Sequence, residues 1–167
     1  NQQQRLDDMG NAIRNNLKCP DIISLVEIQD NNGLDLQGDA NADMTIAKLI
    51  KASKCAAEGV IYKGINIDPI NHNEGGQPGG NIRVAMIYNS RRVKFQAWGQ
   101  PTDGPLRDGT LQETRVMSDG NLSINPGRVF PNSDAFKNTR KSIVAQFDFQ
   151  GEKIFVIGNH FNSKLGD

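Results

Sequence analysis

A helix followed by a strand occurs twice in succession near the start of this chain, and that repetition narrows the folds open to it. Leu6, Met9, Ile13 and Leu17 recur at helical spacing among polar residues, which predicts an amphipathic helix over 3–18. Pro20 stops it. The run "IISLVEI" (22–28) is short and rich in β-branched residues, and predicts a mostly buried strand. After a polar loop at 29–42, Ile46, Leu49 and Ile50 mark the inner stripe of a second helix over 43–57, with Gly59 just past its end. "VIYKGINI" (60–67) is the second strand.

The remainder changes rhythm. "DPINHNEGGQPGG" (68–80) is a turn-rich loop. "IRVAMIYN" (82–89) and "VKFQAW" (93–98) predict a hairpin across "SRR", and "SIVAQFDF" (142–149) and "KIFVIGNH" (153–160) predict another across "QGE". Between them, 99–138 lack periodicity, and a loop of that length in a small domain is usually functional or inserted. This order predicts an α/β layer fold with a mixed sheet. The length of 167 residues suits a single domain, and a hydrophobic fraction of 37% allows a core wrapped in long polar loops.

Charge is balanced overall but not along the chain: residues 1–80 carry −4 and residues 81–167 carry +4. No basic arm for nucleic acid follows from this, and taken alone it is ordinary surface charge. No stretch approaches the length of a membrane span. The start "NQQQRLDDMG" has no signal-peptide pattern and reads as an internal boundary. Cys19 and Cys55 each follow a predicted helix and precede a predicted strand, which allows either a disulfide or two half-buried thiols. "NLS" at Asn121 is the one N-x-S/T sequon.

Several residues carry candidate chemistry. Strand alternation puts Glu27 on the face of Ile23 and Leu25, where a carboxylate needs a partner such as a divalent cation; read alone, it is more simply a solvated strand-end residue. His160 closes the last apolar strand in the company of Asn159, Asn162, Ser163 and Lys164, donors suited to holding an anion. Arg140 in "NTRKS" carries a guanidinium suited to a bidentate phosphate clamp; read alone, it is more simply a strand-flanking cation. "GGQPGGNIR" (75–83) keeps backbone bare next to a strand, with Asn81 at the junction. His72 and Glu74 read as solvent-exposed loop residues, with metal ligation as the alternative.

Four segments, "PDIISLVEIQDNNG", "IDPINHNEGGQPGGNIRVAMIYN", "NPGRVFPNSDAFKNTRKSIVAQF" and "GEKIFVIGNHFNSKLGD", together resemble the endonuclease/exonuclease/phosphatase superfamily, in its branch of secreted nuclease-like proteins. They cover about half the chain, in that family's order. The resemblance implies a deoxyribonuclease-like two-sheet α/β sandwich with mixed sheets flanked by helices. It implies Glu27 as the metal ligand and His160 as acid–base catalyst or transition-state donor. Asn81, beside the active site, is implied as a second catalytic residue, and Arg140, Asn159 and Lys164 would bind the substrate phosphate. It further implies Mg²⁺, or Ca²⁺ or Mn²⁺, a nucleic-acid substrate and a secreted protein. A phosphatase or phospholipid phosphodiesterase of the same fold, or a non-catalytic binding module, are the alternatives.

That family also carries an active-site Asn on its first strand, a Gly-Asp-x-Asn motif and a terminal Asp-His pair. None has a counterpart here, since "GDAN" at 38–41 sits in an early polar loop. The expectation is that 1–167 form one incomplete domain, with little hydrolytic activity until another segment completes the site.

Overall fold

The structure is a computed structural model, and it describes residues 2–74, 79–101 and 104–161. The first helix, α1 (Gln2–Asn11), widens into a π-helical turn over Ala12–Asn16. Its contact face is Leu6, Gly10 and Ile13, while Met9 and Leu17 of the expected stripe are exposed. The reason is closeness: a Cβ on Gly10 would lie 2.3 Å from the Ala52 carbonyl oxygen of the second helix, α2 (Asp43–Ser53). A glycine there lets the two helices touch backbone to backbone. Asn31, from the loop before α2, caps that helix by accepting from the N–H groups of Met44 and Thr45. A 3₁₀ turn, Cys55–Glu58, follows, and Cys55 is disulfide-bonded to Cys19 with both side chains buried.

One sheet has the order β1 (Ile22–Ile28), β3 (Arg83–Asn89), β2 (Tyr62–Asn66), with β3 buried along its whole length. In the other, β7 (Glu152–Gly158) runs along one edge of β6 (Ile143–Phe149). The short strands β4 (Lys94–Phe95) and β5 (Gly127–Arg128) pair with opposite ends of β6. Every pairing among these strands is antiparallel, so the mixed sheet is corrected to two antiparallel ones. The β6–β7 hairpin forms as expected, through a two-residue turn with positive φ at Gln150 and Gly151. The other expected hairpin does not: β3 pairs with β1 and β2, while β4 crosses to the second sheet.

Two cores result. The helices pack on one face of the first sheet through Ile13, Leu25, Ile28, Ile46, Leu49 and Ile87. Its other face, with Ile65, Val84, Met86 and Tyr88, packs against Ile143, Ala145 and Phe147 of the second sheet. Tyr88, Phe95 and Phe147 form a ring cluster there, with centroids 5.6 to 5.7 Å apart. At one rim the C-terminal ends of β1, β2 and β7 meet the N-terminal ends of β3 and β6, a consequence of the antiparallel registers.

Candidate active site

Strand β1 does not alternate to its end. Leu25 pairs with Ala85 and Ile28 with Arg83, so Val26 and Glu27 share the space opposite Val84. This bulge inserts one residue. Leu25 and Ile28 both stay on the helix-facing core, and Glu27 turns to the opposite face, toward the second sheet. The face assigned to Glu27 by simple alternation is therefore corrected. Its side chain is 70% exposed, and its backbone sits at φ +58°, a conformation bulky residues avoid.

His160 reaches the same place from β7. Its Nε2 lies 3.6 Å from Glu27 Oε1, across the two sheets. Gly158, two residues earlier, sets this approach: a Cβ there would come within 2.4 Å of Val84 Cγ1 and 2.8 Å of Ser24 Oγ. The bare backbone lets β7 press onto β1 three residues before Glu27. The imidazole is 18% exposed, and its Nδ1 is buried without a hydrogen-bond partner among the described residues. Burial and the nearby Arg140 charge lower its pKa, while Glu27 opposes them. His160 is therefore neutral at pH 7 and able to accept a proton.

Arg140 lies just before β6 and donates from Nη2 to the Phe161 carbonyl at 3.3 Å. Its Nε is buried without a partner among the described residues. Asn159 is exposed, and its Oδ1 accepts from Ser142 Oγ at 2.5 Å, which fixes the amide and leaves its N–H₂ as a donor. Nothing in the sequence singled out Ser142, a small residue at a strand start. Lys164 falls outside the described residues.

Asn81 has a different place. It is buried, its Nδ2 donates to Asp30 Oδ2 at 2.6 Å and Asn71 Oδ1 at 2.9 Å, and its Oδ1 accepts from His72 N–H. With its amide committed, Asn81 ties the loop after β2 to the end of β1. Arg83 serves the same rim, bonding Asn66, Asp68 and the carbonyls of Ala40 and Asn81. His72 is exposed as expected, but Glu74 is buried at 6%. It faces Lys141 at 3.8 Å, and together with Arg128 and Arg140 they line a small cavity between the sheets. Burial pushes the Glu74 carboxyl up, against the pull of Lys141 and Arg128, and pushes Lys141 down. The loop pattern hid this because its charged partners, Lys141 and Arg128, lie far away in sequence.

No group of three or more His, Cys, Asp or Glu side chains gathers as a metal cage among the described residues. An exposed carboxylate such as Glu27 still fits a hard divalent ion that keeps most of its waters, as Mg²⁺ does. It fits Ca²⁺ less well, since that ion takes more oxygen ligands.

No protein-family model and no curated protein matches the chain. Among solved structures, a humanized D. rerio TDP2 carrying 14 mutations is similar over 97% of this chain and 46% of its own, at 16% identity and a TM-score of 0.42. The chain thus spans less than half the length of that protein, and a likeness this loose carries no argument about the site. The protein itself is an α/β protein built of helices on antiparallel sheets.

Proposed function

We propose that this chain belongs to a metal-dependent phosphodiester hydrolase of the endonuclease/exonuclease/phosphatase type, a secreted nuclease acting on DNA or RNA. One observation carries the reading: a carboxylate from one sheet and an imidazole from the other converge at 3.6 Å on a shared rim. The carboxylate is delivered there by a bulge at the expense of backbone strain, a pattern that concentrates at functional sites. The buried Cys19–Cys55 disulfide supports an oxidising compartment.

In this reading Arg140 and the Asn159 amide bind the phosphate and orient it toward His160. The neutral imidazole accepts a proton as water attacks, or donates a hydrogen bond to the phosphate as charge builds on it. Glu27 would hold Mg²⁺ or Mn²⁺, which would neutralise charge developing on the phosphate. Asn81 holds the β1 end through Gln29 and Asp30, and Arg83 holds the neighbouring β2 end through Asn66 and Asp68. The remaining ligands would come from water, the substrate or a further segment of the domain.

The test is turnover of supercoiled plasmid and a phospholipid panel, each with Mg²⁺, Ca²⁺ or EDTA, by protein containing this domain. EDTA-sensitive nicking is expected, with Glu27→Ala and His160→Ala each lowering it by about 100-fold or more. Lipid turnover would move the substrate to a phospholipid. No turnover under any condition would leave a binding module and sink the hydrolase reading.

A further inference from the structure

The most exposed large apolar side chains among the described residues are Phe161, at 74%, and Phe130, at 66%. Both stand on the rim that carries His160. Arg128 pairs with Ile143, and Ile143 with Gly158, so β5 and β7 flank β6 about 10 Å apart, two strand spacings. The Val129 N–H reaches the Ser142 carbonyl at 2.9 Å, which carries the β5 ladder one residue further, to the threshold of Phe130. On the other side Phe161 follows His160 directly, and its carbonyl accepts from Arg140. Along the rim the backbone order is thus Phe130, Arg140, Phe161, with Arg140 just before the strand that lies between the two phenylalanines.

Phe130 is also held in an unfavourable backbone conformation, φ +51°, which bulky side chains rarely adopt. Its carbonyl accepts from Ser133 N–H and closes the turn that keeps it there. A chain that only needed a turn would place Gly or Asn at this position. The ring buries little in return.

We propose that Phe130 and Phe161 form a stacking platform for unpaired bases of a nucleic-acid strand whose phosphate lies at Arg140 and His160. The proposal rests on the phosphodiester-hydrolase reading and narrows its substrate to single-stranded or locally opened nucleic acid. Aromatic rings set along a cationic track are how proteins hold single strands without reading sequence. Two strand spacings match two to three nucleotides at about 3.4 Å each. A membrane-inserting surface would instead present a continuous apolar face, and here an arginine stands just before the strand between the two phenylalanines.

The experiment compares two fluorescein-labelled oligomers of equal length in EDTA by anisotropy: oligothymidine, and the same phosphodiester chain with abasic residues throughout. Wild type is expected to bind oligothymidine at least about tenfold more tightly than the abasic chain, and Phe130→Gly/Phe161→Ala to remove most of that difference. Abasic binding should be unchanged in the variant. Glycine suits the left-handed backbone at 130, so the variant is expected to fold, with wild-type circular dichroism as the control. Equal affinity for the two oligomers, or undiminished oligothymidine binding by the variant, overturns the platform and leaves the phosphodiester site standing. Failure to bind either oligomer also overturns the platform, while the hydrolase reading stands or falls separately with plasmid turnover in Mg²⁺. Sedimentation with phosphatidylcholine–phosphatidylserine vesicles, lost in the variant and without base dependence in the oligomer arm, would assign the rings to a membrane instead.

Discussion

Glu27 shows how much a single residue can depend on a neighbour's spacing. Its type marked it in the sequence, but its direction came from a bulge whose left-handed residue is a glutamate rather than the glycine that would have announced it. Left-handed backbone costs an L-residue roughly 1 to 2 kcal/mol, so Glu27→Gly should be about 1 kcal/mol more stable than Glu27→Ala in urea denaturation. Equal stabilities would mean that the residue is not held left-handed. His160 gives a second check. Its folded pKa lies below the usual 6.5, so the unfolded chain takes up the proton first. The stability it contributes is complete above pH 6.5 and is lost as pH falls toward the depressed value. In metal-free protein, Arg140→Ala should raise the His160 pKa and Glu27→Gln should lower it further, read from ring-proton shifts by NMR. Shifts of the opposite sign would separate the three groups.

Among the elements, the β6–β7 hairpin was legible because its instructions are local: two apolar runs and a turn that accepts positive φ at both central positions. The segments at 82–98 carry equally local signs and misled. The strong pairing partners of β3 are β1 and β2, far away in sequence, and tertiary packing decided the outcome. Gly158 was equally silent, an unremarkable residue inside an apolar strand. Its missing Cβ is what allows β7 to lie against Ser24 and Val84. Gly158→Ala should cost about 1 to 3 kcal/mol through overpacking, and should make the His160 pKa insensitive to Glu27→Gln. Wild-type stability and an intact Glu27 effect in that variant would show that the strand does not need this closeness.

At the scale of the whole molecule, the two charge-biased halves meet where the sheets meet. The acidic half contributes Glu27, Asp30 and Glu74, and the basic half contributes Arg128, Arg140 and Lys141. Composition alone gave no reason to prefer this over scattered surface charge, because only the fold brings the halves together. The same is true of Cys19 and Cys55: spacing left the pairing open, and packing of the turn after α1 against the turn after α2 closed it. If Glu27 holds a divalent cation beside His160, Mn²⁺ reports it through paramagnetic broadening. The chain has only two histidines, His72 and His160, so their ring resonances act as probe and control. Low Mn²⁺ should broaden the His160 ring protons and spare those of His72, and Glu27→Gln should abolish the broadening. Equal broadening of both histidines, or broadening of His160 that survives Glu27→Gln, would contradict the site.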